Sequence, residues 1–431
     1  MTETILLCTV GGSHQPILTA IRECAPSFVQ FFASGTDATT GRPGSINTLT
    51  GKGTPVEVRR GAEVIERLPN IPTQLGLAPE TFAAQEIPSD DLDQAVTLIA
   101  KTLADLRQRF PAAAFVADYT GGTKTMTAAL VMVAVEAQEI ALQVITGPRA
   151  DLIKVTDGSQ AGLVMGVEGI RLRRGMRPFL EAWQRYAYGE AADGLSQLPL
   201  PRDAELRAEL QLARGLSRVF DAWDRFDHVA AEQDLELYRQ RLGQEAGAII
   251  GPLFTALKEL NAAPDSPKHT PARLWDLWLN AQRRATQGRY DDAVARGYRL
   301  LEWTAQWLLG TRGIDTSDLR AEQIPDNLPI AANPDGKRQA GLRNAWALAA
   351  HHLGGEVQAF VEAEGSHMLD HLKKRNYSIL AHGDQPIAKA DWQAFGGWIE
   401  AALIPLLRTQ SARVGLKRLA AQLPQAPFWQ R

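Results

Sequence analysis

The stretch AAAFVADYTGGTKTMTAALVMVAVEAQEIALQVIT, residues 112–146, decides the fold of the first half of the chain. AAAFVADYT (112–120) reads as a strand that runs into a Gly-Gly turn, TKTMTAALVMVAVEAQ as the helix that follows, and ALQVIT (141–146) as a second strand. Two strands joined by a helix over so short a span pair in parallel. The same alternation precedes it. ILLCTV (5–10) is a strand, GGSHQP a turn, and a helix follows from Ile17 to Cys24. FVQFFAS (28–34) and TPVEVRR (54–60) supply further strands. Leu92, Val96, Ile99 and Leu103 mark an amphipathic helix over roughly 90–110. Strands alternating with helices imply a Rossmann-like α/β domain, a parallel sheet covered on both faces, with its ligand site beyond the carboxyl ends of the strands. Both Gly-Gly turns, after Val10 and after Thr120, stand at such ends.

The 431 residues exceed what one core holds, and the pattern changes along them. Residues 151–174 read as a short hairpin or connector. Beyond about 175 the pattern is helical: 176–190, 203–243, 246–262, 271–311, 340–364, 367–382 and 388–411 carry apolar residues three and four apart. Turn-rich breaks fall at 262–267, 310–319 and 324–336. We therefore expect an α/β domain at 1–174, a helical linker at 175–265 and an all-α domain at 266–431. With 46 basic and 49 acidic residues the protein is not a cationic coat for long duplexes, though a local basic cleft remains open to it. Two cysteines exclude a disulfide framework and a four-cysteine zinc site. The start has no basic leader or cleavage site, and no apolar run reaches the roughly 18 residues needed to cross a bilayer. The cytosol is the expected compartment, with no membrane partner.

DYTGGTKTMT (118–127) carries the chemistry of the first domain. Gly121 and Gly122 let the backbone turn tightly against a ligand. Thr123 stands at a helix start, where free amides and the helix dipole favour an anion. Lys124 adds a point charge and Thr120 a hydroxyl. TVGGSHQP (9–16) offers similar groups through Thr9, Ser13, His14 and Gln15. A P-loop fails on spacing, because Thr123 and Asp118 stand where that motif needs glycines, and no G-x-G-x-x-G follows the first strand. What remains is a phosphate-tolerant pocket of another kind, or glycine turns of a generic doubly wound domain. TVGGSHQP paired with DYTGGTKTM resembles the CARF domains of type III CRISPR ancillary proteins. That resemblance implies a homodimer binding a cyclic oligoadenylate across its twofold axis. Thr9, Gly11, Gly12, Ser13 and His14, with Thr120, Gly121, Gly122, Thr123 and Lys124, would line the pocket. It also admits slow cleavage of the ligand there.

In the helical half, LKKRNYSILAHGD (372–384) is the candidate for chemistry. Read as helix, it puts Arg375 and His382 seven positions apart on one face, with Asn376 beside the arginine. RNA supplies its own nucleophile, the ribose 2′-hydroxyl, so its cleavage asks only for charge stabilisation and proton transfer. A guanidinium holds two phosphoryl oxygens as charge develops, an imidazole moves the proton near neutral pH, and Asn376 orients one of them. Arg-Asn followed by His and Gly resembles the HEPN ribonuclease motif, and GRYDDAVARGYRLLEWTAQWLL (288–309) resembles the first long helix of that domain. The resemblance, over roughly 270–431, implies catalytic residues Arg375, Asn376 and His382 from two protomers and a 2′,3′-cyclic phosphate product. Single-stranded RNA is the expected substrate, with no cofactor and no metal. Two other readings stay open. His367 and His371, four apart beside Asp370, have a spacing that suits zinc in a metal-dependent nuclease, although no third ligand stands at motif spacing. A non-enzymatic, ligand-sensing regulator is the other, although no basic recognition helix stands out.

Overall fold

The computed structural model describes residues 3–37, 40–60, 63–137, 139–146, 161–239, 242, 244–379 and 383–429. Two compact units emerge, Met1–Arg174 and Gly175–Arg431. The first contains β1 (Thr4–Val10), α1 (Gln15–Cys24), β2 (Phe28–Ala33), α2 (Asn47–Thr50), β3 (Val56–Arg60), β4 (Glu63–Leu68), α3 (Ile71–Leu75), β5 (Phe82–Glu86), α4 (Leu92–Arg109), β6 (Ala114–Asp118), α5 (Lys124–Glu136), β7 (Ile140–Thr146) and β8 (Ala161–Met165). The main sheet has the order β5-β2-β1-β6-β7-β8, parallel except for β8. From β1 the chain builds outward first through β2 and β5, then on the other side through β6 and β7, so the order reverses between β1 and β6.

Burial explains why ILLCTV reads as an unbroken apolar run. Ile5 and Leu7 of β1 belong to one core layer with Ile99, Leu103, Leu130 and Val133 from α4 and α5. Leu6, Cys8 and Val10 belong to the opposite layer with Ile17, Leu18 and Ile21 of α1. A strand covered on both faces needs apolar side chains at every position, not every second one.

Two expectations need correction. Residues 54–60 do not join the main sheet; β3 pairs with β4 in a separate antiparallel hairpin. The edge next to β2 is taken by β5, FAAQE, whose single large apolar residue gives no strand signal. Within 151–174 there is neither a plain hairpin nor a connector beyond residue 160: β8 extends the sheet and α6 (Glu168–Glu181) begins.

In the second unit a 3-10 turn (Ala182–Arg185) leads to α7 (Tyr188–Gln197), α8 (Ala204–Asp224), α9 (His228–Arg239), α10 (Gln244–Leu260), α11 (His269–Thr286), α12 (Tyr290–Gly310), α13 (Leu342–Leu353), α14 (Gly355–Asn376), α15 (Lys389–Trp398), a π-helical segment (Ile399–Leu403) and α16 (Ile404–Arg413). Two apolar cores form. One gathers α11 to α16 around Trp278, Leu301, Trp346 and Leu407. The other lies in the stretch expected as a linker, around Trp183, Tyr188, Phe220 and Trp223, and Ala272, Leu416 and Leu423 close it. Hydrogen bonds from Tyr188 Oη to the Pro424 carbonyl (2.7 Å) and from Trp275 Nε1 to the Ala420 carbonyl (2.7 Å) fasten the segment after α16 to these helices. Residues 175–265 therefore pack as part of one helical unit. Among the described residues no helix is long and apolar enough to cross a membrane.

Candidate functional site

The loops that the sequence singles out in the first unit meet. β1 and β6 are neighbours, so the turns leaving their carboxyl ends face each other at the point where strand order reverses, the usual ligand crevice of a doubly wound sheet. Their backbones interlock. Thr9 Oγ1 donates to the Gly121 carbonyl at 2.5 Å. A Cβ on Gly11 would lie 2.7 Å from the Gly122 nitrogen, and one on Gly121 2.5 Å from the Thr9 carbonyl oxygen, so only glycine allows the approach. Gly122 also has φ +98, a conformation that side chains disfavour.

Around this seam the candidates divide. Thr9 and His14 are buried, His14 immediately before α1 with its carbonyl accepting from the Ile17 and Leu18 amides. Gly12, Ser13, Thr123 and Lys124 are exposed, and open space surrounds Gly12. Thr120 Oγ1 accepts from the Ile145 amide at 2.7 Å, which fixes the loop to β7. Thr123 caps α5, accepting from the Met126 amide at 3.2 Å, and its hydroxyl donates to the Ser89 carbonyl at 2.8 Å. The loop after β5 is thus a third wall. It escaped sequence reading because its strand did. Two helix N-termini, of α1 and α5, and one exposed lysine surround the crevice, an arrangement that favours a phosphate.

Beneath the loops lies Asp118, fully buried at the end of β6, which the sequence reading used only for spacing. Burial pushes its carboxyl up to about 6, against hydrogen bonds from Thr120 and Gln143. Burial, with the Asp118 charge, also raises the neighbouring Cys8 thiol. The linkage is that of an acid with a raised native pKa. Its stabilisation is complete below the ordinary aspartate range and is lost as pH rises through about 6. Asp118→Asn is therefore expected to stabilise the amino-terminal unit at pH 7.5 by up to about 3 kcal/mol, a gain that shrinks towards pH 4.5. Urea unfolding of both proteins at the two pH values checks this; a gain independent of pH would exclude the carboxyl as its source.

The second candidate site lies at the end of α14. Met368 and Leu372 mark the side of this helix that packs on the core, and Arg375 stands in its last turn. The helix expected over 367–382 stops at Asn376, and Tyr377–Ile379 leave it. The amides that a longer helix would use go elsewhere. Ile379 N donates to the Gln385 carbonyl (3.1 Å), Gln385 N to the Tyr377 carbonyl (3.3 Å) and Gly383 N to the Ser378 carbonyl (3.1 Å). A Cβ on Gly383 would lie 1.9 Å from the Tyr377 carbonyl oxygen, so this closure depends on glycine. Asp291 in the first turn of α12 accepts from the Ile387 amide at 3.1 Å and holds the far side of the loop. His382 lies outside the described residues, and for Arg375 and Asn376 only the backbone is described.

His367 and His371 have partners other than a shared metal. His367 Nδ1 hydrogen-bonds to Glu364 Oε2 at 3.2 Å, and Trp398 Nε1 donates to the same oxygen at 2.7 Å, which holds the Glu364 carboxyl below its ordinary range. The His371 ring lies 5.2 Å from Phe395 and 5.3 Å from Trp398, centroid to centroid. Among the described residues no three His, Cys, Asp or Glu side chains gather to hold a metal ion.

Residues 263–404 match the family described as the Csm6 HEPN domain. Among solved structures, Enterococcus italicus Csm6 bound to cyclic hexa-2′-fluoro-hexa-dAMP aligns with a TM-score of 0.50 at 12% identity, covering 97% of this chain and 95% of that one. Can2 from Sulfobacillus thermosulfidooxidans, in complex with cyclic tetra-adenylate (cA4), aligns over 53% of this chain and 68% of that one at 10% identity, with a TM-score of 0.23. No curated protein sequence matches the chain. The chain shares the fold of that Csm6 structure, an α/β unit followed by an all-α unit, and the all-α unit contains the Csm6 HEPN match. The HEPN match contains all three motif residues.

Proposed function

We propose that this CARF–HEPN protein is a cyclic-oligoadenylate-activated, metal-independent endoribonuclease that cuts single-stranded RNA in CRISPR antiviral defence. The observation that carries the reading is one chain holding both parts: a Csm6 HEPN match spanning Arg375, Asn376 and His382, and two interlocked glycine loops at the switch point of an α/β sheet. Either feature alone has bland explanations; the pair in this order has few.

In this mechanism the ribose 2′-oxygen attacks the adjacent phosphorus as its proton leaves. The bond to the 5′-oxygen breaks, giving a 2′,3′-cyclic phosphate and a 5′-hydroxyl. The Arg375 guanidinium stabilises the extra charge on the phosphorane oxygens. His382 moves a proton to the leaving 5′-oxygen or from the 2′-hydroxyl, and Asn376 orients the imidazole or a phosphoryl oxygen. Two protomers would each contribute one such set. A cyclic oligoadenylate in the amino-terminal crevice would activate by binding one arrangement of the dimer more tightly than the other. Lys124 beside the loop hydroxyls also suits slow in-line cleavage of the bound ring by one of its own 2′-hydroxyls.

The deciding experiment is RNA cleavage in EDTA with a panel of cyclic tri-, tetra- and hexa-adenylate. We expect one ring size to raise the rate by at least about 100-fold, the size of a coupling of some 3 kcal/mol, with no loss in EDTA. Equal rates with and without every ring would remove the activation step, and abolition by EDTA would favour the metal-dependent nuclease. Intact activator recovered after long incubation would remove the ring cleavage.

A further inference from the structure

We infer that Tyr377 is the platform on which a nucleobase of the RNA stacks beside the phosphate to be cut. The inference rests on the reading of 375–382 as the ribonuclease site and adds how that site holds its substrate. Tyr377 is 69% exposed and Ile379 61%, whereas Ser378 between them is 3% exposed. The alternation belongs to a non-helical segment that presents every second side chain outward. A single-stranded substrate is gripped by stacking its unpaired bases on aromatic rings, because every base has a π face.

The stem beneath the ring is fixed. Tyr377 N donates to the Lys373 carbonyl at 3.2 Å, its carbonyl accepts from Gln385 N, and Gly383 packs against its backbone. With the backbone held, only the two side-chain torsions of Tyr377 remain to be ordered on binding, which keeps the cost of stacking small. Its surroundings also fit a nucleotide better than a protein partner. Lys373, Asp384 and Gln385 nearby are exposed and polar, so the exposed apolar surface described here is confined to Tyr377 and Ile379. Tyr377 directly follows Asn376, so the backbone that carries the ring is continuous with the proposed motif.

The test uses the full chain with its activator, and compares Tyr377→Ala and Tyr377→Phe with the parent. Removing one stacked base is expected to raise KM by about 10- to 100-fold, with kcat within about threefold. Phe, which keeps the π face, restores KM. In parallel, anisotropy with a 2′-O-methyl RNA, which binds but supplies no nucleophile, should show the same loss and the same rescue. Unchanged KM and anisotropy in Tyr377→Ala overturn the inference. So does a loss that Phe fails to rescue, or one accompanied by dissociation of the dimer in sedimentation, which would make the ring a protomer contact. Should the parent cleave no RNA, the ribonuclease reading fails, and anisotropy still decides whether Tyr377 stacks.

Discussion

Arg375→Ala and His382→Ala are each expected to lower RNA cleavage by at least about 1000-fold while leaving folding and binding of the cyclic ligand intact. The magnitude follows from what each group supplies. Losing one donor that meets developing transition-state charge costs about 100- to 1000-fold, and losing a positioned acid or base costs a similar factor or more. The effect is on kcat, since phosphorane charge and proton transfer exist only in the transition state. Arg375→Lys separates charge from geometry: an ammonium keeps the former and loses the two-pronged grip, so only a few per cent of activity should remain, given that such substitutions are not conservative at bidentate sites. Alanine in the last turn of α14 favours the helix, so misfolding is not the expected cause. Single-turnover cleavage under saturating activator measures the effect, with circular dichroism and ligand binding as controls. Wild-type rates in either alanine variant would mean that the motif is not the active site.

Much of this architecture is legible in the residues, and the parts that are not have physical reasons. β1 and the β6–α5–β7 unit stand out because a strand buried on both faces is apolar throughout. β5 does not, since FAAQE owes its place to backbone pairing with β2, to Phe82 on one face and to the small Ala83 on the other. The glycine loops are legible as phosphate-friendly turns. Their interlock depends on strand order, which no local pattern contains. The proposed Arg–Asn–His set is read from residue chemistry, and the helix expected to run through it ends at Asn376. Helical spacing presumes that the ladder of amides continues, and the Tyr377, Ser378 and Gln385 carbonyls offer the loop's amides a tighter alternative. Residues 175–265 look like a spacer because their core is completed from a distance, by Ala272, Leu416 and Leu423.

That distant completion centres on a buried ion network, and its removal is the largest stability effect expected. Asp276, Asn280, Arg283 and Arg284 lie on one side of α11 at helical spacing, and all four are buried. Arg283 Nε donates to Asp224 Oδ1 at the end of α8 (2.7 Å), and Arg283 Nη1 to Gln422 Oε1 in the segment after α16 (2.8 Å). Asp276 accepts from Trp223 Nε1 (3.0 Å) and from His228 Nε2 (2.9 Å), with Arg283 Nη2 at 3.5 Å. One guanidinium thus joins α8, α11 and the carboxy-terminal segment. Arg283→Ala takes the cation from the buried Asp276 and one of two arginines from Asp224, which keeps Arg284, and costs about 3–5 kcal/mol. Arg283→Met separates volume from charge: it refills most of the space, yet should still lose most of that stability. Burial works to raise the Asp276 carboxyl, and the His228 hydrogen bond with the Arg283 charge outweighs it and holds the group below its ordinary range. A lowered native pKa contributes stability that is present above the unfolded pKa and lost as pH falls through the native one. Taking Arg283 away removes part of that lowering, so the variant's acid unfolding should begin at higher pH than the parent's. Urea and acid titrations followed by tryptophan fluorescence, with Trp223 one of ten contributing tryptophans, measure both effects. A Met variant as stable as the parent would mean that packing alone, and not the charge of Arg283, holds the two helical cores together.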